Sequence, residues 1–279
     1  MFERMSNGWE LAKSSWSVLK LDKEMLIFPL LSGVACLLVF ASFALPLMDS
    51  SYVQTVTEEN AAPEDPLAYI LLFAFYFCNY FVIVFFNCAL VACAIIRFRG
   101  GDPTVADGFR AAMSRLPQIL AWAAVSATVG VILRLIESRS EKAGQFAAGL
   151  LGMAWSAATY FVVPILVVEQ VGPIEAFKRS LSVLRKSWGE ALVANFGIGF
   201  MVFLGAIVCM LPALLGLVSG NSTFVSAGIV VTVLMFIVLS LISSALNMIV
   251  IGALYEFAAD DRTPEQFDRD ALSHAFVAR

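Results

Sequence analysis

Residues with side chains suited to catalysis are few in this sequence, and they are scattered along it. The only histidine, His274, lies in a polar tail five residues from the end. Ser222 has no residue near it in sequence that could act as its base, and the sequence contains no metalloprotease, phosphate-loop or dinucleotide-binding motif. The five cysteines form no CxxC pair, and thiols in apolar surroundings pack as small hydrophobes. We therefore expect a protein that is not an enzyme and that holds no metal and no cofactor.

Polar side chains inside apolar segments are the next candidates, because burying them is costly and they often mark a functional path. The residues that we select as an intramembrane polar seam are Asn79, Asn87, Asn195, Ser240, Ser244 and Asn247. The seam either lines a path for a solute or supplies hydrogen bonds between helices. Under both interpretations, Asn79 and Ser244 should face other helices rather than lipid.

Charged residues avoid the centres of the apolar segments. No segment carries a carboxylate there, which argues against a proton-coupled or sodium-coupled carrier. Arg134 and Glu137 stand three residues apart, so they either pair along one helix or Arg134 extends to the membrane interface. Glu169 and Glu256 lie at segment ends, where we expect solvent to be close.

The elements that must position these residues are apolar helices. Hydrophobic residues make up 60% of the 279 residues and charged residues 14%, with a mean hydropathy of +0.84. A run of about 20 apolar residues spans the hydrocarbon core, and we place six such runs, at residues 26–48, 67–96, 117–137, 146–168, 190–218 and 224–256. The sequence predicts an all-α polytopic protein with a single membrane domain over residues 1–279. In its tail, residues 257–279, we expect a short helix to begin at Pro264.

The distribution of lysine and arginine predicts the orientation of the chain. Fifteen of the eighteen lie in the leader, the second and fourth connections and the tail, which all fall on one side. The other three are Arg134, Arg139 and Lys142. The first outer loop carries acidic residues and no cation, so the net charge of −4 does not contradict the assignment. Both termini are therefore predicted to be cytoplasmic.

Three segments, at residues 8–20, 105–116 and 173–187, have the spacing of amphipathic helices. Their apolar residues should point toward the hydrocarbon or the tops of the spans, and their cations toward water or anionic headgroups. The residues that we select as lipid or interface contacts are Trp9, Lys13, Trp16, Lys20, Phe109, Arg110, Phe177, Lys178, Arg179, Arg185, Lys186 and Trp188. We expect all three segments to lie along one membrane face.

The same three segments indicate an internal repeat. Residues 10–20 match residues 175–185 without a gap, and a weaker copy follows Pro103. Each copy precedes two apolar runs, which gives three units of helix, span and span over residues 4–96, 103–169 and 173–256. The alternative is that three juxtamembrane helices reached one composition independently.

The run SNGWELAKSSWSVLKLDKEMLIFPLLSG at residues 6–33 resembles the start of a family of uncharacterised bacterial membrane proteins with six spans. The match rests on GW at 8–9, SW at 15–16, DKE at 22–24 and IFPLLS at 27–32. The segment EAFKRS at 175–180 is more loosely similar to the membrane-anchor domain of bacterial glycerophosphodiester phosphodiesterases, although no catalytic domain is present. The resemblance implies the bacterial cytoplasmic (inner) membrane and supplies no catalytic residues.

These patterns together favour a non-enzymatic, multi-pass inner-membrane protein that organises lipids or partner proteins through interfacial helices. The alternative is a channel or transporter for a small solute. The expected partners are membrane lipids with anionic headgroups at the cytoplasmic face. A protein partner or a homo-oligomer is an open alternative. We expect no binding to nucleic acid.

Overall fold

A computed structural model describes residues 2–48, 66–138, 143–260 and 262–267 of the chain. Within these ranges the side chains of residues 2–8, 47–48, 66, 143, 186–198 and 260 are not described. The α-helices are α1 (Phe2–Leu21), α2 (Ile27–Met48), α3 (Pro66–Phe98), α4 (Val105–Ser114), α5 (Leu116–Ser138), α6 (Ala143–Ala158), α7 (Val162–Val168), α8 (Pro173–Val218) and α9 (Ser222–Asp260). A short 3-10 helix, Lys23–Leu26, joins α1 to α2.

The predicted fold class is confirmed. Of the residues that the structure describes, 89% are helical and none is in a strand. Within the described residues, six stretches are long and apolar enough to cross a membrane: Lys23–Pro46, Leu67–Phe98, Leu116–Ser138, Gly144–Val168, Gly199–Val218 and Ser222–Ala259. They overlap the six runs that hydropathy predicted, because an apolar run of this length favours the hydrocarbon core wherever it stands in the chain.

The chain divides into two compact units, and the single membrane domain over residues 1–279 stays a prediction. The first unit contains Met1–Pro29, Cys93–Val105 and Arg185–Arg279, and the second contains Leu30–Ala92 and Ala106–Leu184. Neither unit is one continuous stretch, since α2, α3, α4 and α8 each contribute residues to both. Hydropathy measures only whether a residue is apolar, so it could not predict this division.

The first unit is built on α9. Helix α1 and the 3-10 helix both pack against α9, and the described side chains buried in this unit include Leu19, Phe28, Leu246 and Leu254. The residues after α9 form a turn in which the Phe267 N–H donates to the Pro264 carbonyl, and the Phe267 ring meets Phe98 edge-on at 5.7 Å between centroids. The predicted helix at Pro264 is therefore a turn as far as residue 267.

Helices α8 and α9 form a close hairpin in the first unit. Gly220, with φ of 65°, lies in the turn after α8, and the Asn221 side chain accepts a hydrogen bond from the Thr223 N–H at 2.9 Å to cap α9. A side chain at Gly216 would place its Cβ 2.7 Å from the Phe224 carbonyl oxygen. Only glycine allows the two backbones to approach this closely.

The second unit is organised around aromatic contacts. Phe75 of α3 meets Phe43 of α2 edge-on at 5.6 Å. Helices α5 and α6 pack against each other, and the Trp122 ring stacks on Trp155 at 5.8 Å with 7° between planes. Gly130 faces the ring of Tyr76, where a Cβ would lie 3.2 Å away. These contacts place α5 beside both α3 and α6.

Several sequence predictions fall outside the described part of the chain. They concern Arg139 and Lys142 in the third connection, the acidic outer loop, and the tail beyond residue 267 with His274. The backbone of Lys186, Trp188 and Asn195 lies in α8, but their side chains are not described.

Candidate functional site

Helix α1 has two faces of different composition. Its buried face consists of Leu11, Ala12, Ser15, Val18 and Leu19, which are almost inaccessible to solvent. Its outer face consists of Trp9, Lys13, Trp16 and Lys20; Trp9 is 43% exposed, Trp16 is half-buried and both lysines are exposed. The expectation that both tryptophans point toward the hydrocarbon or the tops of the spans stays a prediction. Trp9, Lys13, Trp16 and Lys20 lie on one helical face because they follow one another at intervals of four, three and four residues.

A buried ion pair fixes the end of α1. The Arg97 guanidinium donates to both carboxylate oxygens of Asp22, with Nε 2.5 Å from Oδ2, and also contacts Asp102. Asp22 is 7% exposed and Arg97 18% exposed, whereas Asp102 is 92% exposed. The planar, two-pronged geometry sets both position and angle. Asp22 lies between α1 and the 3-10 helix, so this pair holds that junction against the end of α3.

A second ion pair lies in the same unit. The Arg99 Nη2 is 2.6 Å from Glu256 Oε1, and Glu256 is only 2% exposed. The expectation that Glu256 is close to solvent is therefore wrong. A carboxylate this deep in the protein needs a partner, because removing a charge from water is costly. The pair connects the residues after α3 to the end of α9.

Helix α4 repeats the two-faced arrangement in the second unit. Gly108 and Ala112 are buried, and the Phe109 ring packs against Phe85 and Phe86 of α3, with centroids 6.2 Å and 6.0 Å away. Arg110 is exposed and pairs with Asp107 at 3.0 Å on its own helix. Phe109 thus contacts a span, as predicted, while Arg110 points outward.

The start of α8 follows the same plan. Ala176, Ser180, Val183 and Leu184 are buried, whereas Lys178 and Arg185 are exposed. The Phe177 ring stacks on Trp155 at 5.5 Å and so extends the Trp122–Trp155 stack. Arg179 donates to Glu169 at 2.9 Å, and the Arg179 side chain is 42% exposed. This charge is therefore already paired within the unit.

The third amphipathic segment differs from the prediction in its connection. It continues into the fifth apolar stretch as one helix, Pro173–Val218, instead of forming a separate helix. The expected arrangement of helix, span and span is wrong at this position. No glycine or proline lies between residues 173 and 188, and the propagating hydrogen-bond ladder has no reason to end there.

The burial of the matched positions agrees between the first and third segments. Leu11, Ser15, Val18 and Leu19 correspond to Ala176, Ser180, Val183 and Leu184, and all eight are buried. The matched cations Lys13 and Lys178, and Lys20 and Arg185, are all exposed. This agreement supports the internal repeat, which stays a prediction.

The fourth apolar stretch is interrupted at residues 159–161, between α6 and α7. Pro164 lacks an N–H, so the carbonyl four residues before it loses its helical donor. Ser180 lies against the interruption and is fully buried. Its hydroxyl accepts a hydrogen bond from the Phe161 N–H at 3.1 Å and donates to the Ala158 carbonyl at 2.7 Å. An interrupted helix is tolerated in a membrane only where such partners satisfy its backbone.

The polar seam is divided between the two units, with Asn79 and Asn87 in the second and the other four residues in the first. Asn79 is half-buried, and its amide donates to the Phe75 carbonyl of its own helix at 2.9 Å. Ser240 and Ser244 are exposed, so the prediction that Ser244 faces another helix is wrong. Asn87 and Asn247 are half-buried. The seam as a functional feature stays a prediction.

Chemistry of other kinds has few candidate residues. Across the described ranges, no group of three His, Cys, Asp or Glu residues is placed to hold a metal ion. Arg134 and Glu137 form an ion pair along α5, with 2.7 Å between Nη1 and Oε2. Of the two arrangements expected for them, the structure therefore has the pair along one helix. Sequence reasoning missed Asp22, Arg97 and Ser180. Ser180 could have been found from the sequence, because it is a polar residue on the face of an amphipathic helix that is predicted to be buried.

Six apolar helical stretches, with cations gathered on short amphipathic segments, define a polytopic α-helical membrane protein. The chain belongs to a family of unknown function, DUF6159, whose model matches residues 67–265. The matched region covers more than half of the chain and begins after the N-terminal motif at residues 6–33. No curated protein matches the sequence.

Proposed function

We propose that the protein is a non-enzymatic, multi-pass protein of the bacterial cytoplasmic membrane that organises lipids or partner proteins through α1, α4 and the start of α8. One observation carries this proposal. Each of these segments buries one face within its own unit and leaves cations exposed on the other, namely Lys13, Lys20, Arg110, Lys178 and Arg185. Cations at a bilayer surface attract anionic lipids and acidic protein surfaces.

Neutralising these cations should remove co-purifying lipids or proteins. The five exposed cations would be changed to Gln, and wild-type and variant proteins would be affinity-purified from native membranes in mild detergent. We expect at least one lipid or protein to fall severalfold in the variant, because each cation near an anionic surface contributes about 1 kcal/mol. Mass spectrometry of both fractions is the measurement.

Arg134→Gln serves as the control for that experiment. Arg134 is 60% exposed and lies outside the three segments, so its removal changes charge without touching them. Identical lipids and proteins on wild type and five-site variant would contradict the proposed function. Loss that Arg134→Gln reproduces would show a general charge effect and would contradict it as well.

We also propose that both termini are cytoplasmic. The support is the concentration of cations in the leader, the second and fourth connections and the tail. Reporters active only in the cytoplasm should work when fused at residue 279 and near residue 180, and should be inactive near residue 60. Activity near residue 60 would reverse the orientation.

A further inference from the structure

The outer face of α1 combines two residue types that favour a membrane surface. Trp9, Lys13, Trp16 and Lys20 follow one another at helical spacing and form what we call the Trp/Lys face. The Lys20 ammonium lies 5.7 Å from the centroid of the Trp16 ring. Tryptophan has an apolar ring with one polar N–H, and lysine has an apolar stem with a charged end. Both therefore favour the boundary between hydrocarbon and water.

In the part of the chain that the structure describes, Trp9, Lys13 and Lys20 of this face are exposed and Trp16 is half-buried. The opposite face of α1, which includes Leu11, Val18 and Leu19, is buried, and α1 packs on α9. Rotation of α1 would expose this apolar face and bury two lysines. The pair between Asp22 and Arg97 further restricts movement at the end of the helix.

The Trp/Lys face lies close in sequence to the first membrane-spanning stretch. That stretch begins at Lys23, three residues after Lys20. Glu10 is exposed on α1 and lies about 60° around the helix from Lys13, so it flanks the face. The face itself carries two cations and no anion.

We propose that the Trp/Lys face binds the headgroups of anionic phospholipids in the bilayer that the spans cross. The two ammonium groups complement phosphate charge, and the two indole N–H groups can donate to phosphate or ester oxygens. This inference rests on the proposed function and names its ligand class.

The start of α8 provides a matched comparison. Ile174, Lys178, Leu181 and Arg185 have the same spacing, with an apolar residue and a cation in alternation. However, Ile174 and Leu181 stand where α1 has Trp9 and Trp16, so this segment lacks the two indole N–H donors of the Trp/Lys face. We therefore expect these cations to contribute less to lipid binding than Lys13 and Lys20.

The test uses full-length protein in phosphatidylcholine vesicles that contain either brominated phosphatidylglycerol or brominated phosphatidylcholine. Bromine quenches nearby tryptophan fluorescence, and subtraction of a Trp9→Phe/Trp16→Phe variant isolates the signal of the Trp/Lys face. We expect quenching at lower mole fractions of phosphatidylglycerol than of phosphatidylcholine. Lys13→Gln/Lys20→Gln should reduce this preference by up to about 25-fold, since each cation contributes about fivefold.

Two comparisons make the outcome decisive. Lys178→Gln/Arg185→Gln removes the same charge at the same spacing and should retain most of the preference. Added salt should weaken the preference of the wild type, which tests the inference even if the lysine variant does not fold. Equal quenching by both lipids, a preference that survives loss of both lysines, or equal loss in both double variants would overturn it.

Failure of this inference can be separated from failure of the proposed function. If Lys13→Gln/Lys20→Gln keeps its lipid preference while the five-site variant loses a protein partner, only the lipid assignment is wrong. If the five-site variant also retains every co-purifying lipid and protein, the proposed function is wrong as well.

Discussion

Replacing Arg97 with Met should lower the free energy of unfolding by about 3 kcal/mol, because the Asp22 carboxylate would remain buried without its partner. Asp22 is 7% exposed, so water cannot replace the lost hydrogen bonds. Asp102 is 92% exposed and loses little when its contact with Arg97 is removed. The measurement is a denaturant titration of the full-length protein in mixed micelles.

Arg110→Met is the matched control for this substitution. Arg110 also pairs with an aspartate, but its side chain is 78% exposed, so the pair is worth at most about 1 kcal/mol. Asp22→Leu combined with Arg97→Met should recover more than half of the loss, since it removes both buried charges together. Equal effects of Arg97→Met and Arg110→Met would show that the buried pair does not stabilise α1.

Replacing Ser180 with Ala should also destabilise the protein by about 3 kcal/mol. The substitution leaves the Phe161 N–H and the Ala158 carbonyl without their partner at the interruption between α6 and α7. Each buried polar group left unsatisfied costs about 1–3 kcal/mol. The same denaturant titration measures the loss.

Ser182→Ala gives the control at the same helix. Ser182 is exposed, and removing a hydroxyl from such a surface position changes stability by about 0.5 kcal/mol or less. Ser180→Thr keeps the hydroxyl and should retain more stability than Ser180→Ala. If Ser180→Ala is as stable as Ser182→Ala, the interruption does not depend on this hydroxyl.

The two ion pairs and the Ser180 bridge share a property that explains why they escaped prediction. Arg97 and Asp22 are 75 residues apart, and Arg99 and Glu256 are 157 residues apart. Hydropathy and helical spacing compare each residue only with its near neighbours. The sequence analysis used Arg97 and Arg99 only as cations that indicate the orientation of the chain in the membrane. Their neighbours in sequence did not distinguish them from Arg110, which is exposed.

The sequence by itself determined the six apolar stretches and which residues of the amphipathic segments carry charge outward. Both depend on local composition and on the 3.6-residue period of the helix, so they hold wherever the segment packs. The alternation of Lys13 and Lys20 with buried Leu11 and Val18 is an example.

The tertiary structure alone decided where each buried face is placed. It made the third segment continuous with its span and divided the polar seam between two units. It also exposed Ser244 and buried Glu256. Composition cannot predict these outcomes, because burial and pairing depend on which distant helix lies alongside, and that is settled only when the whole chain has packed.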